Sequence, residues 1–326
     1  MEAKWHVAIQ NDVITEYAGM RLKDYYGSPQ NMLEAQLKAA EYAERKFGLG
    51  RFIKVFIDSP CHVLASMFGV EIIYPAEDEV PSNGPPVLDD LADADKLRVG
   101  DLQKDGLMAK RWEAYLFLKS KGYQVDVAID DGSVVTTSAE IFGTGLFYEI
   151  AANPEGVRRL FDRVVNVQLA IRRLGESVSG RESPGSWLGD DFAGLLSPKT
   201  FRELVVPYYQ KLFAGRTTRL LHSELFRVEH LRLAKDLLDI TRFHGAAARN
   251  MTLAEMHSVM GPDFTAQLAP DELLKYSPAE VAERIKVLAG SGAGEVQIFP
   301  GRSTPDRNME AAISAAREVC PGGPAW

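Results

Sequence analysis

The chain has 326 residues, 46% of them hydrophobic and 25% charged, which is ordinary for a soluble globular protein with a large buried core. A formal net charge of −8 argues against any partner held by a basic surface, so neither nucleic acid nor an anionic membrane is expected. The two cysteines, Cys61 and Cys320, lie far apart and form no Cys-x-x-Cys pair, which excludes a disulfide framework and makes a reducing cytoplasm the expected compartment.

In chain order, the opening Met1 to His6 lacks an apolar signal core, and no later run approaches the ~20 apolar residues that cross a bilayer. Residues 1–50 read as an N-terminal helical segment packing on a catalytic domain of residues 51–326. Short β-branched or aromatic runs then alternate with longer amphipathic segments, the pattern of parallel strands joined by helices. The predicted strands are Phe52 to Asp58, Gln124 to Asp130, Ser186 to Gly189, Arg219 to Glu224, Asp239 to His244, Phe264 to Leu268 and Val296 to Pro300. These would be seven strands of an eight-stranded α/β barrel, a single (β/α)8 domain. Val70 to Tyr74 reads as part of a hairpin over the barrel mouth, and Pro75 to Pro86 as a surface loop. Helices are expected over 197–213 and 228–238. Asn153-Pro154-Glu155, Ser197-Pro198 and Thr304-Pro305-Asp306 each place a capping side chain before a proline at the first helical position, and Ser277 to Glu280 forms a capping box.

Leu220-Leu221-His222-Ser223-Glu224 is the most telling stretch, an apolar run ending in two proton or metal ligands one residue apart. On a strand, residues i and i+2 share a side, so His222 and Glu224 are expected to face one site. In barrels of this type the loops after the strands build the active site, and His222, Glu224, His244, Asp190 and Asp58 all fall at predicted strand ends. Trp187, Phe192, Phe226, Phe243 and Phe299 cluster in sequence around the same ends and suggest a pocket with apolar walls. Plainer readings exist for each: His222 as a core histidine, Glu224 paired with Arg227 or Arg302, His244 as a packing residue, and Asp190-Asp191 as a helix lead-in. His230 and His257 read as surface or helix-end residues. The neighbours Cys61 and His62 would point in opposite directions on extended backbone.

Gly132 to Gly143, with the helix beginning Asn153-Pro154-Glu155, resembles the middle of the uroporphyrinogen decarboxylase superfamily. Asp190 to Tyr209 resembles that superfamily's loop and helix leading into its metal-binding strand. Phe299 to Asn308 resembles its last strand and the following helix. The resemblance implies a (β/α)8 barrel with its site at the C-terminal strand ends. The Arg-Gln-x-Gly-Arg motif of the true decarboxylases has no counterpart before Asp58, where Arg21, Arg45 and Arg51 are scattered. The cobamide-dependent methyltransferase branch, including its aryl O-demethylases, is closer. There, zinc is held by a His-x-Cys strand and a late cysteine; here His222 matches the histidine, Glu224 replaces the first cysteine, and Arg302 falls where the last is expected. What the resemblance implies is a divalent metal on His222, Glu224 and His244, zinc first and Mn²⁺ or Fe²⁺ as alternatives, acting as a Lewis acid on a small methoxy substrate. No Asp-x-His-x-x-Gly motif occurs, so the corrinoid would come on a partner protein.

The expected roles are catalysis by Asp190, His244 and Arg302, and substrate binding by Asp58, Trp187, Phe192 and Phe226, in a monomer or homodimer. A metal-dependent lyase, dehydratase or decarboxylase, is the second reading. The third is a non-catalytic binding protein in which Arg302 and Glu224 close the former metal site.

Overall fold

A computed structural model describes residues 3–50, 53–75, 80–128, 134–246 and 250–324. The chain divides into two compact units, the first of residues 1–55, 222–235 and 240–326, the second of residues 56–221 and 236–239.

In the first unit, β1 (Lys4–Val7), β6 (Arg242–His244), β7 (Phe264–Leu268) and β8 (Glu295–Ile298) form a parallel sheet in the order β1-β8-β7-β6. Lys4 pairs with Glu295, His6 with Gln297, and Thr265 and Gln267 with the same two residues from the other side. Phe243, Ala266, Leu268, Val296 and Ile298 point one way and are almost wholly buried. Burial of each large member contributes about 1.5–3 kcal/mol. The opposite face is built differently: Thr265, Gln267, Glu295, Gln297 and His244 are buried but polar. Branched apolar residues usually fill that interior layer. Buried polar groups persist only when hydrogen-bonded, so this face must carry a network.

β1 was not foreseen. The N-terminal segment supplies a strand as well as helices, because Trp5 buries its ring while Lys4 and His6 continue the register of β8. Residues 1–55 belong to the same unit as the C-terminal strands.

The second unit holds the antiparallel ribbon of β2 (Ile72–Ile73) and β3 (Ser82–Asn83), and the neighbouring strands β4 (Gly185–Gly189) and β5 (Thr218–His222), whose last residue, His222, falls in the first unit. The ribbon matches the expected hairpin and places a strand inside the predicted surface loop. Two expected strands differ: residues 54–58 and 124–128 form no strand, and Phe52, Ile129 and Asp130 lie outside the described residues. Arg111 does the work of a ladder there. Its buried guanidinium donates to the carbonyls of Ile57, Val127 and Ala128 at 3.0 Å each and to Ser59 Oγ at 2.9 Å. The 26-residue helix Pro154–Ser179 buries Val157, Leu160, Val164, Val167 and Ile171 at three- and four-residue spacing. Its Gly175 lies so close to Ala128 that an added Cβ would sit 2.4 Å from the Ala128 Cβ, so glycine lets this helix close on the 124–128 segment.

Helix starts largely agree with expectation. Asn153, Ser197 and Ser277 cap their helices through their side chains, and Thr252 with Glu255 adds an unforeseen capping box. Thr304 differs: its hydroxyl turns to the Gly301 carbonyl at 2.7 Å, and the helix begins at Asp306 without it. The helix expected over 197–213 forms as an α turn at Pro198–Thr200, a π turn at Phe201–Val205 and an α segment at Val206–Phe213. Among the described residues no helix is long and apolar enough to cross a membrane.

Candidate active site

β5 ends at His222, two residues earlier than expected, and Glu224 sits in a bend beyond it. The same-side rule for strands therefore does not apply to this pair. His222 meets His244 instead, the last residue of β6. The two Nδ1 atoms are 2.7 Å apart, His222 Nδ1 is 2.9 Å from the His244 carbonyl oxygen, and the Ser223 amide donates to that carbonyl at 3.3 Å. His244 Nε2 lies 2.7 Å from Gln297 Oε1, and Gln297 Nε2 lies 3.0 Å from His6 Nε2. His6 Nδ1 is in turn 2.8 Å from Glu295 Oε1, off the ring's N–H axis. Arg242 contacts the other Glu295 oxygen at 2.5 Å.

This network fills the polar face of the sheet. Burial, with His222 alongside, pushes His244 down to about 4, so its imidazole is neutral near pH 7. Burial works to raise the Glu295 carboxyl, but His6 and Arg242 hold it below the ordinary carboxylate range. Missing from the sequence reading are His6, Gln297 and Glu295. The signal was present in the strands Phe264–Leu268 and Glu295–Ile298, where polar residues recur at every second position of otherwise apolar runs.

A divalent ion on His222, Glu224 and His244 does not fit this arrangement. Two nitrogens bound at ~2.05 Å to one tetrahedral ion would stand about 3.3 Å apart. The two Nδ1 atoms are closer than that, at hydrogen-bond distance. Among the described residues no three His, Cys, Asp or Glu side chains are placed to hold a metal ion.

Asp190, expected to act as a base, is fully buried with both oxygens engaged. Oδ2 accepts from the amides of Val134 and Val135 and from the Tyr209 hydroxyl, while Oδ1 accepts from the amide and hydroxyl of Thr136, all at 2.8–3.0 Å. It anchors the first turn of the helix Val134–Phe142, where the N–H groups have no partners within the helix. Arg302, expected to be catalytic, reaches Thr15 Oγ1 at 3.3 Å, and its amide donates to Asp12 at 3.0 Å.

The expected substrate-binding residues scatter. Asp58 Oδ1 accepts from the Ser59 amide at 2.7 Å. Trp187 is 37% exposed on β4, and Phe192 packs on Phe147 with ring centroids 6.1 Å apart. Phe226 is core, stacked between His230 and Phe243 at 5.2 and 6.1 Å. His230, expected near the surface, is wholly buried, and its Nδ1 accepts from the Arg227 amide at 3.3 Å. Cys61 is exposed, and His62 lies 2.7 Å from Glu140, a partner no sequence spacing announced.

Beyond the C-terminal ends of β6 and β7 in the first unit lies a cavity of about 760 Å³, lined among others by Ala246, Gln267, Glu272, Tyr276 and Arg284. That is the size of a small-molecule site. Its walls are more polar than the aromatic lining expected from sequence. Ala246, two residues past His244, adopts the left-handed conformation at φ 45°, a strained turn at the cavity's edge.

The sequence pattern of the uroporphyrinogen decarboxylase (URO-D) family matches residues 7–288. No curated protein matches this sequence. A methyltransferase from Methanosarcina mazei has a similar structure, with a TM-score of 0.74 at 16% identity over 97% of this chain and 94% of that one. At that identity the likeness bears on the fold, whose parallel sheet runs in the order β1-β8-β7-β6-β5-β4. The chain belongs to the uroporphyrinogen decarboxylase family and has its α/β fold, the (β/α)8 barrel.

Proposed function

We propose that this chain is a methyltransferase-like enzyme that takes a methyl group from a small methylated oxygen compound and passes it to a separate corrinoid protein, with His222 serving the substrate oxygen. The family and the methyltransferase of similar structure support the reaction class. The cavity at the C-terminal strand ends supports a small substrate. The observation that carries the role of His222 is its Nδ1 contact with both the carbonyl and the Nδ1 of His244.

A methyl ether is a poor leaving group unless its oxygen is protonated as it departs. Protonated His222 keeps Nδ1–H anchored on His244 and gives the Nε2 proton to that oxygen. The carbon–oxygen bond breaks with its electron pair on oxygen, and the carbon bonds to the acceptor on the partner. His244, held neutral by burial, accepts from His222 without competing for the proton. General acid help of this kind is worth ~10²–10⁴-fold in rate.

The test is methyl transfer from a panel of small methoxy compounds to a reduced corrinoid protein, followed by the corrinoid's visible spectrum. His222→Gln should lower turnover at least about 100-fold with the fold intact. Wild-type turnover in that variant would remove His222 from the chemistry. Conversion of a substrate by the isolated chain, with no corrinoid protein, would replace methyl transfer with a lyase.

A further inference from the structure

The hydrogen-bonded chain on the polar face has a direction, and that direction is fixed from both ends. At one end, the His244 carbonyl can only accept, so His222 Nδ1 must carry the proton that fills the 2.9 Å contact. The His244 Nδ1, 2.7 Å from the same atom, must then present a lone pair, because two N–H groups cannot face each other at that distance. A neutral His244 with a bare Nδ1 holds its proton on Nε2 and donates it to Gln297 Oε1 at 2.7 Å. At the other end, the Glu295 carboxylate, 2.8 Å from His6 Nδ1, repels a lone pair and requires a proton there. His6 Nε2 is then the acceptor, as the Gln297 Nε2 amide at 3.0 Å needs. Both ends thus demand the same orientation of one amide.

We infer that Glu295, His6 and Gln297 are positioning residues: they turn the lone pair of His244 Nδ1 toward His222 and so work with the His244 carbonyl to hold the proton of resting His222 on Nδ1. Gln297 is the hinge of the arrangement because its amide joins the two imidazoles, accepting from His244 through Oε1 and donating to His6 through Nε2. Reversing it would put a proton on His244 Nδ1, against the proton that the His244 carbonyl draws onto His222. Glu295 is kept ionised by Arg242 and His6, so the far anchor does not lapse near neutral pH. The link to turnover rests on the proposed role of His222; the tautomers themselves do not.

The experiment is long-range ¹⁵N–¹H correlation of the ring nitrogens in the full-length protein labelled in histidine, which has only six such residues. The expected spectrum shows the Nδ1–H tautomer for His222 and His6 and the Nε2–H tautomer for His244. Nδ1–H on His244, or Nε2–H on resting His222, would overturn the inference. Two variants sharpen it. Gln297→Glu keeps an acceptor for His244 Nε2–H, so His244 and His222 should retain their tautomers while His6 gains a proton on Nε2. Gln297→Leu removes the hinge; His244 should become a tautomer mixture while its carbonyl still draws the His222 proton to Nδ1, and kcat should fall about 10-fold or more with little change in KM. Unchanged tautomers in Gln297→Leu would also sink the proposal, and if either variant fails to fold, the wild-type spectrum decides alone. Because these spectra are read on resting protein, a wrong reaction class leaves them untouched, and a wrong tautomer leaves the methyl-transfer assay to stand by itself.

Discussion

Asp190→Asn sets two large effects against each other. The carboxylate is wholly buried, and burial pushes it above the usual carboxylate range against the hydrogen bonds from Val135, Tyr209 and Thr136. A neutral amide would relieve that burial cost, which is several kcal/mol for an ion. It would also replace one oxygen by an N–H₂ group facing a donor. If the amide nitrogen takes the Oδ1 position, the Thr136 hydroxyl can turn to accept, but the Thr136 amide is orphaned at about 1–3 kcal/mol. The bonds from Val134, Val135 and Tyr209 then fall from charge-assisted to neutral strength, about 1 kcal/mol each. The losses sum to about 4–6 kcal/mol, and after relief of the buried charge a net destabilisation of about 2–4 kcal/mol is expected. Equilibrium urea unfolding gives the size, and amide hydrogen exchange at Val134, Val135 and Thr136 should quicken most. A variant as stable as wild type, with unchanged exchange at those amides, would refute an ionised cap and reopen Asp190 as a titrating group.

Three further outcomes are expected. Arg111→Met should strand the carbonyls of Ile57, Val127 and Ala128 and cost about 3 kcal/mol or more by denaturant unfolding, whereas a loss below about 1 kcal/mol would show that those segments hold without it. His244 titrates near 4 folded and near 6.5 unfolded, so the unfolded chain binds the extra proton between those values. Stability should therefore fall as pH drops from 6.5 toward 4, by on the order of 3 kcal/mol from this group. His62, raised by Glu140, contributes with opposite sign: its stabilisation is present below about 6.5 and lost as pH rises through its folded value. His244→Gln should flatten only the acidic slope, and an unaltered slope would contradict the assignment. Equimolar zinc should leave the thermal midpoint of the wild-type protein within about 1 °C, since the His222–His244 contact must open before one ion can bind both rings. A rise of several degrees, reversed by a chelator and absent in His222→Ala, would restore the metal site.

Local chemistry made much of this fold legible. Strand–helix alternation, prolines behind capping side chains at Asn153, Ser197 and Ser277, and the apolar run ending at His222 each depend on residues within a turn or a strand of one another. Such preferences act on neighbours in the chain and survive any arrangement of the rest. The placement of His222 beside His244 at strand tips followed from the same pattern.

Tertiary structure alone decided which groups meet. β5 stops at His222, two residues short of the expected strand end, so the same-side rule of a strand no longer places Glu224 with His222. Asp190 became a cap because the turn it serves, at Val134 to Thr136, lies more than 50 residues away. His6 looked like an uneventful N-terminal residue, yet Gln297, 291 residues distant, donates to it, and Gln297 accepts from His244 across 53 more. Side-chain hydrogen bonds are short and directional, so they depend on register across strands and not on spacing along the chain. Sequence patterning therefore set most of the strands and their order, while the closing of β1 on β8 determined that a histidine pair would be held by an amide and a carboxylate.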